Sequence, residues 1–189
     1  GSGGIGGEKP MVELIDVSFS FAIAGIGMRP IIKGASVVLA KGSKTAMVGR
    51  SGIGKSTLVK ILSRLYQPTW GVVAVNGQDV NEMSAFDVSA DIAVIEQAFV
   101  LFEGTVKENI VYGMPKSTSS ADANRLTEHD EAQLQAAIDA ACLREDVESL
   151  LANGLDTQVG ARGKALSRGQ QQRVAIARAW IRHAKIVIA

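Results

Sequence analysis

The chain has 189 residues, with 20 Lys+Arg against 19 Asp+Glu, giving a formal net charge of +1. That length is enough for a domain with a real core, and 47% hydrophobic with 21% charged residues excludes wholesale disorder. The near-neutral balance excludes the broad basic field of a general nucleic-acid binder, and a lone cysteine, Cys142, excludes an internal disulfide framework or a cysteine-based zinc site.

The opening Gly1-Ser2-Gly3-Gly4 reads as a linker or expression scar, and residues 1–10 are set apart from a domain over 11–189. Met11 to Phe21 alternates apolar and polar residues, the pattern of a half-buried strand. Gly25, Gly27 and Pro30 should break it, and a second strand is expected over Ala35 to Ala40, closed by a Lys41-Gly42-Ser43 turn. Val17 to Met28 carries no charge but is short and broken by Ser and Gly, so no transmembrane helix is expected and the chain reads as a soluble domain. Lys44 to Val48 is predicted as a short apolar strand entering a Gly-rich loop. Lys55 to Tyr66 has Leu58, Ile61, Leu62 and Leu65 at helical spacing.

Strands are expected next at Gly71–Val75 and Ile92–Ile95, and helices at about Thr105–Tyr112 and Glu131–Leu143. Ser117 to Asp130 is polar and Ser-rich and reads as a mobile surface insertion. A helix over Ser167–His183 and a buried strand over Lys185–Ala189 complete an alternating α/β pattern. Charge is blocked along the chain: Ser117–Asp156 holds nine acids and two bases, Thr157–Ala189 seven bases and no acid. Such blocks are either solvated faces or, at the basic end, a surface aimed at an anion.

The segment Gly49-Arg50-Ser51-Gly52-Ile53-Gly54-Lys55-Ser56-Thr57 fits G-x-x-x-x-G-K-[ST] between a predicted strand and a predicted helix. Glycines let the loop curl so that successive backbone N–H groups face one phosphate chain, and the helix adds its unpaired N–H groups and dipole. Lys55 would reach the β- and γ-phosphates and Ser56 would hold Mg²⁺ through its hydroxyl. Chance would produce the pattern in about 1% of chains this long, so a nucleotide site is expected.

Four further stretches carry a resemblance. Leu166-Ser167-Arg168-Gly169-Gln170 with the run to Ala179 resembles the signature of ATP-binding cassette (ABC) proteins. Ile95-Glu96-Gln97 and Phe102–Ile110 look like their Q-loop and the segment after it, Val17–Phe21 like the strand ending in the adenine-stacking aromatic, and Thr157–Gly163 like the exporter X-loop. The resemblance implies a P-loop NTPase fold of ABC type: a mixed sheet, an N-terminal antiparallel β-subdomain and a helical subdomain over about 98–183. It implies ATP and Mg²⁺ as cofactors, with Phe21 stacking on adenine, residues 49–57 holding phosphates, and Gln97 near Mg²⁺ and the attacking water. Ser167, Gly169 and Gln170 would face the nucleotide of a second such domain, and the other partner would be a transmembrane domain, with no nucleic acid expected.

Departures from the family pattern are Arg168 for the usual first signature glycine and Ala161 for a frequent X-loop Glu. The 189 residues also stop in what resembles the Walker B strand, before the Asp, catalytic Glu and switch His the family carries, so no turnover is expected from these residues alone. The implied role is the ATPase domain of an exporter at the cytoplasmic face of a membrane, with peptide cargo a first expectation beside lipid or drug. The rival readings are a degenerate ATP-sensing half of a heterodimeric transporter and a soluble DNA-repair-type ABC ATPase. Cys142 is expected in the core, Trp70 and Trp180 to serve packing rather than ligand contact, His129 to be solvated and His183 to sit near a helix C-terminus. Glu103 and Glu108 are left between solvation and contact with a membrane-domain helix.

Overall fold

The computed structural model describes residues 9–25, 27–96, 100–114 and 126–189. Gln97 and residues 117–125 of the polar insertion fall outside them. The chain forms two compact units, Gly1–Ser89 and Ala90–Ala189.

The first unit is built on an antiparallel sheet of order β2-β1-β3-β4, from β1 (Val12–Ile23), β2 (Gly27–Leu39), β3 (Trp70–Val75) and β4 (Gln78–Asp79). Val12, Leu14, Val17 and Phe19 of β1 face its core with Val73, Ala74 and Val75, and helix α1 (Lys55–Leu62) adds Ile61 and Leu62. Pro30 does not break the pattern as expected. It sits inside β2, paired with Ser20, because β2 is an edge strand and an edge tolerates a residue with no N–H to give. The Lys41–Ser43 turn forms, with the Ser43 N–H donating to the Ala40 carbonyl at 3.2 Å. Asn76-Gly77, both at positive φ, join β3 to β4, a two-residue hairpin that the Asn-Gly pair encodes.

Three further expectations fail here. Lys44–Val48 belongs to no strand and every residue in it is exposed, Val48 to 92%. An apolar run becomes a strand only where a neighbour accepts its backbone hydrogen bonds, and none of the described sheets includes it. Helix α1 ends at Leu62, four residues early, with Arg64 in the left-handed region at φ 57°, so Leu65 is exposed. Trp70 is 70% exposed rather than packed.

Helix α2 (Ala85–Asp91), which the sequence pattern missed, leads into the second unit. There β5 (Ile92–Val94) and β6 (Ile186–Ile188) pair in parallel. Helices α3 (Val106–Val111), α4 (Glu128–Ala140) and α5 (Arg168–Trp180) enclose a core of Leu101, Ile110, Leu134, Ile138, Leu143, Val174 and Ile181, among others. Each of the three starts with a capping box: Thr105 with Glu108, Thr127 with Asp130, Ser167 with Gln170. Glu108 is therefore committed to the start of α3, its carboxylate accepting from the Thr105 N–H at 2.7 Å. Helix α4 begins three residues before the expected Glu131, so Glu128, His129 and Asp130 of the supposed insertion are helical, with His129 exposed.

Strand β6 is not buried: Val187 is 56% exposed. Cys142 is exposed as well, at φ 53° just past the end of α4, because the turn that ends the helix rotates it away from the Ala141 and Leu143 core positions. Trp180 is 41% exposed and lies against His183, which is exposed beyond the end of α5. No described helix is long and apolar enough to cross a membrane.

Candidate functional site

The Gly-rich loop of the first unit is exposed throughout Gly49–Ile53. Gly52 and Gly54 take φ of +80° and +107°, a region in which a side chain would be strained. Gly54 also lies close against Ile31 and Ile32 of β2, where a Cβ would meet Ile31 Cγ2 at 3.1 Å. That glycine is the N-cap of α1, so the cap supplies no side-chain oxygen to the first-turn N–H groups, and the turn contains no acidic residue. Those donors and the positive end of the helix are left for an anion. Lys55 curls back over the loop, its ammonium donating to the Gly49 carbonyl at 2.5 Å and to the Arg50 carbonyl at 3.0 Å. Ser56 is exposed on the same turn, and Thr57 follows it.

The same unit carries Phe21, 37% exposed near the end of β1. It stands edge-on to Phe19, with ring centroids 4.9 Å apart, and to Tyr66, at 5.6 Å. Tyr66 was not expected from the sequence; its contacts with residues more than forty positions away leave no local pattern.

In the second unit, Ser167 caps α5, its Oγ accepting from the Gln170 N–H at 3.3 Å while the Ser167 N–H donates to Gln170 Oε1 at 2.9 Å. The Gln170 amide nitrogen donates to Asp146 Oδ1 at 3.1 Å, so this side chain turns toward the cap and the carboxylate. Ser167, Arg168 and Gly169 remain exposed on the first turn. Asp146, only 2% exposed, also accepts from Arg173, at 2.6 Å from Nε and 3.0 Å from Nη2. These hydrogen bonds hold its carboxyl below the usual carboxylate range and raise the Arg173 guanidinium. Arg178 is half-buried and pairs with no carboxylate among the described residues; it donates to the carbonyls of Asn109 and Val100 and to Asn109 Oδ1, and desolvation lowers its pKa. Part of the basic block is thus spent inside the fold, on Asp146 and on carbonyl oxygens. Sequence reasoning missed Asp146 and Arg173, for which the only signal was the opposite sign of the two charge blocks.

With this geometry in hand, similarity to known proteins is decisive. The family model described as ABC transporter matches residues 32–189, and the chain belongs to that family. It is 37% identical over 177 residues to antigen peptide transporter 2 of Mus musculus, covering 94% of this chain and 23% of the relative. It is 38% identical over 159 residues to an ATP-dependent lipid A-core flippase of Xylella fastidiosa, covering 84% and 25%. A bacterial Atm1-family ABC exporter solved with ATP bound superposes with a TM-score of 0.79 at 35% identity, over 95% of this chain and 28% of that one. The chain therefore spans about a quarter of the length of these relatives.

Proposed function

We propose that the chain is the ATP-binding part of an ABC exporter, in which MgATP draws two such domains together and hydrolysis separates them to drive transport by attached membrane segments. The observation that carries the reading is the exposed loop ending in Gly54, an uncapped helix N-terminus with Lys55 folded over it. That arrangement suits a phosphate chain and little else. Gly49, Arg50, Ser51, Gly52, Ile53, Gly54, Lys55, Ser56 and Thr57 would line the phosphates, and Phe21 would offer its face to adenine.

Among the described residues no group of three or more His, Cys, Asp or Glu could hold a metal ion. Mg²⁺ would be held by the phosphates and the Ser56 hydroxyl, with Gln97, in the family's Q-loop position, as a further candidate. The cation would neutralise charge on the transferred phosphoryl group. Ser167 and Gly169 would serve the nucleotide of a second such domain across a closed dimer. Peptide, lipid and drug carriage all occur in the names of the relatives, and a peptide cargo is our first expectation.

The test is MgATP binding and turnover with Lys55→Ala as control. Binding that Lys55→Ala abolishes supports the reading; binding unaffected by it refutes the role of the loop. Turnover is expected only when the sequence extends past Ala189 to carboxylates following β6, and Lys55-dependent turnover by the 189 residues alone would refute that part. A second reading, an ATP-sensing half of a heterodimer, is favoured by Arg168 exposed on the first turn of α5 beside Gly169. Robust turnover by the extended domain without a different partner would count against it.

A further inference from the structure

Phe21 lies at an exposed end of β1, and a lone phenylalanine there would be free to turn. Two other rings remove that freedom. Phe19, two residues earlier on the same face and 8% exposed, stands perpendicular to it at 4.9 Å and 89°. Tyr66 is perpendicular to it as well, at 5.6 Å and 89°, and lies flat on Phe19, at 5.3 Å and 5°. A ring held at right angles to two parallel neighbours cannot rotate without losing both contacts.

Tyr66 reaches this cluster from the far end of α1. Beyond Leu62 the chain turns through Arg64 at φ 57°, and the N–H groups of Leu65 and Tyr66 both donate to the Lys60 carbonyl, at 2.8 and 3.1 Å. The Lys60 ammonium stands 5.3 Å from the Tyr66 ring centroid. The ring is thus fixed to the last turn of the helix whose first turn carries Gly54, Lys55 and Ser56. Gly54 in turn packs on Ile32, the β2 residue paired with Phe19.

We propose that Tyr66 is a positioning residue for the nucleotide base. Anchored to the end of α1, it braces Phe21 in one orientation, so a single helix sets both the phosphate loop and the aromatic platform. This rests on the assignment of adenine to Phe21 and of phosphate to the loop. A pre-set ring spares the cost of immobilising it when the base arrives. The bracing needs the ring of Tyr66 and not its hydroxyl.

The experiment is calorimetric titration of the 189-residue chain with MgATP and with inorganic tripolyphosphate, which shares the phosphate chain and lacks a base. Tyr66→Leu should weaken ATP roughly 2- to 10-fold, the value of one or two aromatic contacts, and leave tripolyphosphate unchanged. Tyr66→Phe should bind both as the parent does. Unchanged ATP affinity in Tyr66→Leu, an equal loss for both ligands, or failure of Tyr66→Phe to preserve binding would each overturn the inference. Phe21→Ala separates the two layers. If it leaves the ratio of the two affinities unchanged, the adenine reading itself fails and the inference falls with it. If Phe21→Ala lowers the ratio and Tyr66→Leu does not, only the inference falls. Absence of ATP binding by the parent chain overturns the loop reading and everything resting on it.

Discussion

Removing either half of the Asp146–Arg173 pair should not cost the same, and the difference follows from where each charge sits. Asp146 is 2% exposed, while the Arg173 side chain is 35% exposed. Arg173→Met leaves a buried carboxylate with the Gln170 amide as its remaining partner, and stranding a buried charge costs about 3–5 kcal/mol. Asp146→Leu leaves a guanidinium that can turn to water, so we expect about 1–2 kcal/mol, mostly lost hydrogen bonds. The double variant should lie near Asp146→Leu, since no buried charge is left behind. Urea unfolding followed by circular dichroism, reading the midpoint at constant slope, measures all three.

The pH dependence gives a second check. In the parent chain the Arg173 hydrogen bonds hold the Asp146 pKa down. A lowered folded pKa contributes stability that is fully present above the unfolded value of about 4 and is lost as pH falls through the folded pKa. In Arg173→Met that partner is gone and burial pushes the carboxyl up. The carboxyl then protonates earlier on acidification and its penalty lifts. The gap between Arg173→Met and the parent should be widest near neutrality and narrow as pH approaches 4. Asp146→Leu costing as much as Arg173→Met, or a gap that does not change with pH, would refute the reasoning.

Gly71→Ala should destabilise the first unit by about 3 kcal/mol or more, because φ is +86° and a Cβ would collide with the Ile15 and Asp16 carbonyl oxygens; thermal unfolding reads it. Arg178→Lys should cost about 2–3 kcal/mol in the same assay, since a single ammonium cannot reproduce a fork reaching the Asn109 and Val100 carbonyls and Asn109 Oδ1. Cys142 should react with an aromatic disulfide reagent in the folded chain without denaturant, given its exposure; protection until unfolding would contradict the placement.

What could be read from the sequence was what local chemistry encodes. The loop at Gly49–Thr57 needs glycines where φ is positive, and Ser167 announces a helix start that the structure shows in full. The alternation of Met11–Phe21 gave β1 because one face of that strand is buried. The misreadings came from partners distant in sequence or from single turns of backbone. Lys44–Val48 has strand composition and no strand neighbour, Pro30 is harmless only because β2 is an edge, and Cys142 leaves the core through one turn of backbone. The contacts of Tyr66 with Phe19 and Phe21 and the Asp146–Arg173 pair join residues 27 to 47 positions apart, beyond any periodicity.

The two helix starts proposed to meet nucleotide are built differently, and the difference assigns roles to their side chains. Helix α1 has a glycine cap with no side-chain acceptor, so its backbone donors are open to phosphate. Helix α5 has a complete capping box, which occupies the Gln170 N–H with Ser167 Oγ and turns the Gln170 side chain to the Ser167 N–H and Asp146. A hydroxyl oxygen that accepts a hydrogen bond keeps its own proton to donate. Ser167 can therefore cap the helix and contact a phosphate at once, whereas Gln170 is occupied in holding the turn. On this reasoning Gln170→Ala acts through the placement of Ser167 and Gly169, while Ser167→Ala removes both the cap and the direct donor.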